Sequence, residues 1–117
     1  MKRTIMRDMA RRTHPYSRTT REALRLLGGR VAVARRERRM TINELAERAS
    51  VAPNTIRKVE RGDPTVSLGV AFEIASLVGV PLFDESPARR RLERRLVDER
   101  LAVLPERVRP LEIDDDF

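Results

Sequence analysis

The chain has 117 residues, 40% of them hydrophobic and 37% charged, with one Tyr, three Phe and no Trp. That is enough for one small domain with appendages, and the core must be aliphatic. There is no cysteine, which excludes disulfides and a thiol nucleophile and fits a reducing cytoplasm, and no segment approaches the roughly 18 continuous apolar residues of a membrane span.

A net charge of +7 with a pI near 11.2 favours a polyanionic partner, a criterion that nucleic acid and anionic membrane both meet. The excess is unevenly placed. Residues 1–20 carry six Lys or Arg against one Asp, residues 21–85 eleven against nine, and residues 86–117 eight against eight. We read three regions accordingly: a basic N-terminal arm over 1–20, a compact domain over 21–85, and a C-terminal helix with an acidic tail over 86–117. The arm has a basic start without the apolar stretch of a secretory signal. It shows no sustained periodicity, and Pro15 breaks any helix there. Two readings of it stand side by side: contact with a minor groove or with phosphates, and an unstructured solubilising extension.

The first helix is expected to begin near Thr20 or near Gly29 and to end at Arg39, with Leu24, Leu27, Val31 and Ala34 facing inward. The Gly28–Gly29 pair leaves the start open. Thr41 to Gly62 then reads TINELAERASVAPNTIRKVERG. Thr41 can cap a helix, with Glu44 reaching back to close a capping box. Ile42, Leu45, Ala46 and Ala49 share a face at helical period. Ser50, Val51 and Ala52 interrupt the pattern, with Val51 as an apolar plug. Pro53 suits the first turn of a second helix. Ile56 and Val59 return to the core, and Gly62 is a left-handed stop. The opposite face carries Asn54, Arg57, Lys58 and Arg61, all able to reach bases or phosphates. This is the sequence form of a helix-turn-helix, whose second helix enters the DNA major groove.

Asp63 and Pro64 form the next loop, and Ser67 caps a helix with Leu68, Ala71, Phe72, Ala75 and Val78 as its inner stripe. Gly79 ends that helix, and Val80, Leu82 and Phe83 are expected to tuck back over the core. After Pro87, ARRRLERRLVDERLAVL predicts a helix with Leu92, Leu96, Val97, Leu101 and Leu104 as a narrow apolar stripe. The stripe can pack on its own domain or on a second subunit, and we favour a homodimer. Two-fold symmetry would set two recognition helices about one DNA turn apart over a near-palindromic operator. Glu93, Asp98 and Glu99, interleaved with the arginines, argue for a solvated face over a second DNA patch. Pro105 and Pro110 stop the helix and leave an extended segment.

From about Leu27 to Phe83 the chain resembles the Xre-type (Cro-like) helix-turn-helix domain. LGGRVAVARRERRM is similar to that family's first helix, and SLGVAFEIASLVGVPLF to its closing helix. The resemblance implies an all-α, five-helix, lambda-repressor-like domain that binds double-stranded DNA. It further implies a structural ion pair between Arg35 and Glu60. The DNA-facing positions it implies are Pro53, Asn54, Thr55, Arg57 and Lys58, joined by Arg61 and by Thr41 at a phosphate-facing helix start. Ile42 departs from the family by replacing a polar residue that meets phosphate. Ser50 departs by standing where the turn usually has glycine, at a cost of about 1 kcal/mol for a left-handed serine.

The ending VLPERVRPLEIDDDF, together with EIASLVGVPLFD, resembles HipB-like antitoxins encoded beside HipA-type kinases. That likeness implies an autorepressor that also captures a kinase toxin, with Leu111, Ile113, Asp114, Asp115, Asp116 and Phe117 as partner-binding residues. A solitary repressor and a nonspecific nucleic-acid-binding protein are the alternatives. No catalysis, cofactor or metal is expected. His14 is the only histidine and lacks a positioned acid–base partner, adjacent aspartates make a poor cation site, and no phosphate-cradling glycine loop is present. The expected location is cytoplasmic, on the nucleoid.

Overall fold

The computed structural model describes residues 14–83 and 86–111. Among them are five helices and no strand: α1 (Arg18–Glu37), α2 (Ile42–Ala49), α3 (Pro53–Glu60), α4 (Leu68–Leu77) and α5 (Pro87–Val103). The fold is all-α. The chain divides into two compact units, Met1–Leu82 with α1 to α4 and Phe83–Phe117 with α5.

In the first unit, α1 starts at Arg18 because Ser17 caps it, accepting the Thr20 amide on its side-chain oxygen at 3.2 Å. The helix therefore begins inside the region read as an arm, and Gly28 and Gly29 lie within it. Gly28 is buried on α1, and a side chain there would meet the carbonyls of Val59 and Glu60 in α3. Its sequence signal is helix-breaking, yet its place is a close helix–helix approach.

All four helices of this unit end in the same way. The chain takes a left-handed residue at Arg39, Ser50, Gly62 and Gly79, with φ of 53°, 55°, 76° and 78°. The next amide in each case bonds back five residues: Met40 to Arg35, Val51 to Ala46, Asp63 to Lys58 and Val80 to Ala75, at 2.9 to 3.1 Å. This is the Schellman stop. It satisfies terminal carbonyls and turns an apolar residue inward each time except at Asp63, since Met40 and Val80 are buried and Val51 packs against the core.

The core is aliphatic. Val31, Leu45, Ile56, Ile74, Ala75 and Val78 are fully buried, with Met40, Ala46, Val59 and Val80 nearly so. Burying each large aliphatic side chain is worth about 1.5–3 kcal/mol. Leu24, Leu27 and Ala34 of α1 are half-buried around Val31. Two expectations fail here. Leu68, placed in the inner stripe of α4, is 68% exposed, because it is the first helical residue and the buried line runs through Ile74, Ala75 and Val78 instead. Phe83, expected to cover the core, is 89% exposed at a φ of 64°, where the backbone turns and Val80 and Leu82 have already supplied the apolar cover.

In the second unit, Ser86 caps α5 by accepting the Arg89 amide at 3.3 Å, and Pro87 occupies its first turn. Leu104 ends it in an extended conformation, as a residue before proline prefers. Arg94–Asp98 at 3.0 Å and Arg89–Glu93 at 3.5 Å are exposed i,i+4 pairs of small energetic weight. No residue of α5 is buried. The apolar residues do not form the narrow stripe expected of them. At ~100° per residue, Leu92 and Leu101 point to opposite sides of a straight helix, so the apolar band winds around it.

Candidate nucleic-acid interface

The direction of α3 is set by the turn before it. Thr41 caps α2 with its hydroxyl accepting the Glu44 amide at 3.0 Å, and the Glu44 carboxylate accepts the Thr41 amide at 3.4 Å, closing the capping box. Ser50 then takes φ 55°, ψ 45°, and Val51 packs on the core between the two helices. Ala52 precedes Pro53 at the first turn of α3 without a side-chain cap. Ile56 and Val59 anchor α3 in the core. With that face fixed, the i, i+3, i+4, i+7 set of Asn54, Arg57, Lys58 and Arg61 must point away from it.

Pro53, Asn54 and Arg57 are exposed, while Thr55 and Lys58 are half-buried. Thr41 is exposed at the start of α2. Arg61 is exposed too, but it caps α3 and holds the Asp63 carboxylate at 3.4 Å. The Asp63 carboxylate also accepts the Thr65 hydroxyl at 2.6 Å and the Thr65 amide at 2.8 Å. These Thr65 bonds, aided by Arg61, hold the Asp63 carboxyl below its ordinary range. A phosphate at Arg61 would therefore compete with a carboxylate already in place. The Asp63–Thr65 clasp was not among the sequence expectations, although Asp followed two residues later by Thr is a turn signal.

Arg35 and Glu60 form a bidentate pair. Nε and Nη2 of Arg35 reach the two Glu60 oxygens at 2.7 and 3.0 Å, and Nη1 donates to the Met40 carbonyl at 2.9 Å. Both side chains are about nine-tenths buried, at 9% and 11% exposure. The hydrogen bond to Glu60 raises the Arg35 pKa from an already high value, against the opposing effect of burial. The pair ties α1 to the last turn of α3 and fixes the direction in which the cationic face points.

Among the expected partner-binding residues, Leu111 is 95% exposed. Ile113, Asp114, Asp115, Asp116 and Phe117 lie outside the described residues, as do residues 1–13 of the arm. Among the described residues no group of three or more His, Cys, Asp or Glu could hold a metal ion, and no helix is long and apolar enough to cross a membrane.

Residues 31–84 match the family model described as helix-turn-helix. The match takes in the last seven residues of α1, from Val31 to Glu37, and all of α2, α3 and α4. Neither curated proteins nor solved structures gave a match. Residues 31–84 are thus similar to the helix-turn-helix family, and the match supports a DNA-binding transcription regulator.

Proposed function

We propose that this chain is a sequence-specific transcriptional repressor that reads a near-palindromic operator as a homodimer, and that it serves as the antitoxin and autorepressor of a HipA-type kinase toxin operon. The observation that carries the DNA-reading part is the exposed Asn54–Arg57 edge of α3, held in direction by the buried Arg35–Glu60 pair. Asn54 has the chemistry to pair with adenine and Arg57 with guanine, each bidentate contact being worth about 1–3 kcal/mol of discrimination. Lys58 and Arg61 are assigned to phosphate, with Arg61 exchanging its Asp63 partner. Thr41 and Thr55 support the backbone contacts at the helix starts, and Pro53 sets the entry of α3.

The antitoxin part is supported by the likeness of the VLPERVRPLEIDDDF ending to HipB-like proteins. Leu111, Ile113, Phe117 and the three aspartates combine apolar anchors with negative charge, which suits a segment that folds on a partner. Deleting Leu111–Phe117 should leave bare-operator affinity intact and abolish capture of the kinase encoded by the neighbouring reading frame, as read by co-purification. Loss of operator binding in that deletion would oppose the partner role, and the absence of any kinase partner would leave a solitary repressor. Competition against random duplex tests the specific reading. A repressor prefers its operator by ~10³-fold or more, whereas equal affinity for all duplexes would make the chain a nonspecific binder.

A further inference from the structure

An open groove of about 670 Å³ on the first unit is floored by Leu26 and Val33 of α1 and by Val80 and Pro81 after α4. Leu26 and Val33 are each 56% exposed and stand seven residues apart on one helical face. Gly29 lies between them with open space where a side chain would project, so another backbone can approach closely there. At ~100° per residue, this face is opposite the Gly28–Val31–Arg35 side that packs toward α3. An occupant of the groove leaves the recognition helix clear.

Charge decides what the occupant is. The rim carries Arg25, Arg30 and Arg38 against Glu37, a net of +2 from three positive and one negative group. Arg38 is held in place, donating to the Ala34 carbonyl at 3.2 Å and lying against Gly79. A second copy presenting the same face would set +2 against +2, which an isologous contact cannot avoid. A phosphate backbone would use the rim and leave the apolar floor unsatisfied. We propose that this groove docks an acidic amphipathic helix of a partner protein. Its apolar side lies over Leu26, Gly29 and Val33, and its carboxylates meet Arg25 and Arg30. The volume falls within the roughly 300–1,000 Å³ of ordinary binding clefts, and helix-in-groove capture is the matching recognition mode. The inference depends neither on DNA binding nor on the acidic tail.

The test titrates the full chain with a fluorescently labelled helical peptide carrying Leu, Leu and Phe at i, i+4 and i+7, flanked by Glu. A copy with Lys for each Glu is the control. The acidic peptide should bind saturably and shift the amide resonances of Leu26, Gly29, Val33 and Val80, with the Lys copy about tenfold weaker or worse. Arg30→Glu should weaken binding about tenfold, and Val33→Glu should abolish it. Arg95→Glu, an equal charge change on α5, should leave it unchanged. Both groove side chains are exposed, so unaltered melting temperatures exclude unfolding as the cause. Equal losses for Arg30→Glu and Arg95→Glu, or shifts mapping elsewhere, would overturn the proposal. So would displacement of the peptide by duplex DNA, or self-association of the chain that Val33→Glu removes.

Discussion

Gly28 and Gly29 are chemically identical neighbours on α1, and the structure gives them opposite roles. A Cβ at Gly28 would stand 2.7 Å from the Glu60 carbonyl oxygen and closer still to that of Val59. Both are backbone atoms in the last turn of α3, so no rotamer change relieves the contact. A Cβ at Gly29 would meet nothing within 4 Å. Replacing either by Ala gains about 0.8–1.0 kcal/mol of helix propensity. That gain cancels when the two variants are compared, leaving the steric cost at Gly28, about 3 kcal/mol at the upper end of overpacking because the obstacle is backbone. Gly29→Ala should therefore stabilise by about 1 kcal/mol and Gly28→Ala should destabilise by about 2. At roughly 4–8 °C per kcal/mol for a domain of this size, their melting temperatures should differ by roughly 12–24 °C. Thermal denaturation followed by circular dichroism reads the difference. Two variants melting within about 2 °C of each other would refute the close α1–α3 approach. Because Glu60 carries the bond to Arg35, Gly28→Ala should also weaken DNA binding, by tilting α3.

Two further predictions concern the same scaffold. Ser50→Gly should raise stability by up to about 1 kcal/mol, since serine there occupies a left-handed conformation that glycine adopts without strain; a loss in urea denaturation would contradict the backbone strain assigned to Ser50. Asp63 has its folded pKa lowered beneath an unfolded value of about 3.9, so its contribution is present above about pH 4 and is lost as pH falls through the folded pKa. Asp63→Asn should flatten the acid limb of stability against pH, and an unchanged acid limb would contradict the Thr65 clasp.

Much of the fold was readable because it rests on local chemistry. The capping box at Thr41 and Glu44, Pro53 at a helix start, and Gly62 and Gly79 at helix ends all act within a few residues of themselves. What escaped was set by tertiary contact. Gly28 reads as a helix breaker until the carbonyls of Val59 and Glu60 are seen against it. The left-handed Arg39 has no local signature, yet it ends α1 as Gly62 ends α3. Leu68 has the hydrophobicity of a core residue but stands at a helix start, and Phe83 stands past the last residue the core can cover. The winding apolar band of α5 follows from ~100° of rotation per residue, which sets Leu92 and Leu101 on opposite sides although both are apolar. At the interface, the cationic face followed from spacing alone, whereas the engagement of Arg61 by Asp63 depends on the path of the loop.

The exposed edge of α3 is proposed to read bases. Competition binding of the wild-type chain and Arg57→Ala, on operator and on random duplex at one salt concentration, tests it most directly. Arg57→Ala should lose about 1–3 kcal/mol on the operator, relax the preference at one base pair and lose far less on random DNA. Arg61→Ala should weaken both duplexes alike. Equal losses on both duplexes for Arg57→Ala, or none on either, would contradict the assignment of α3 as the reading helix.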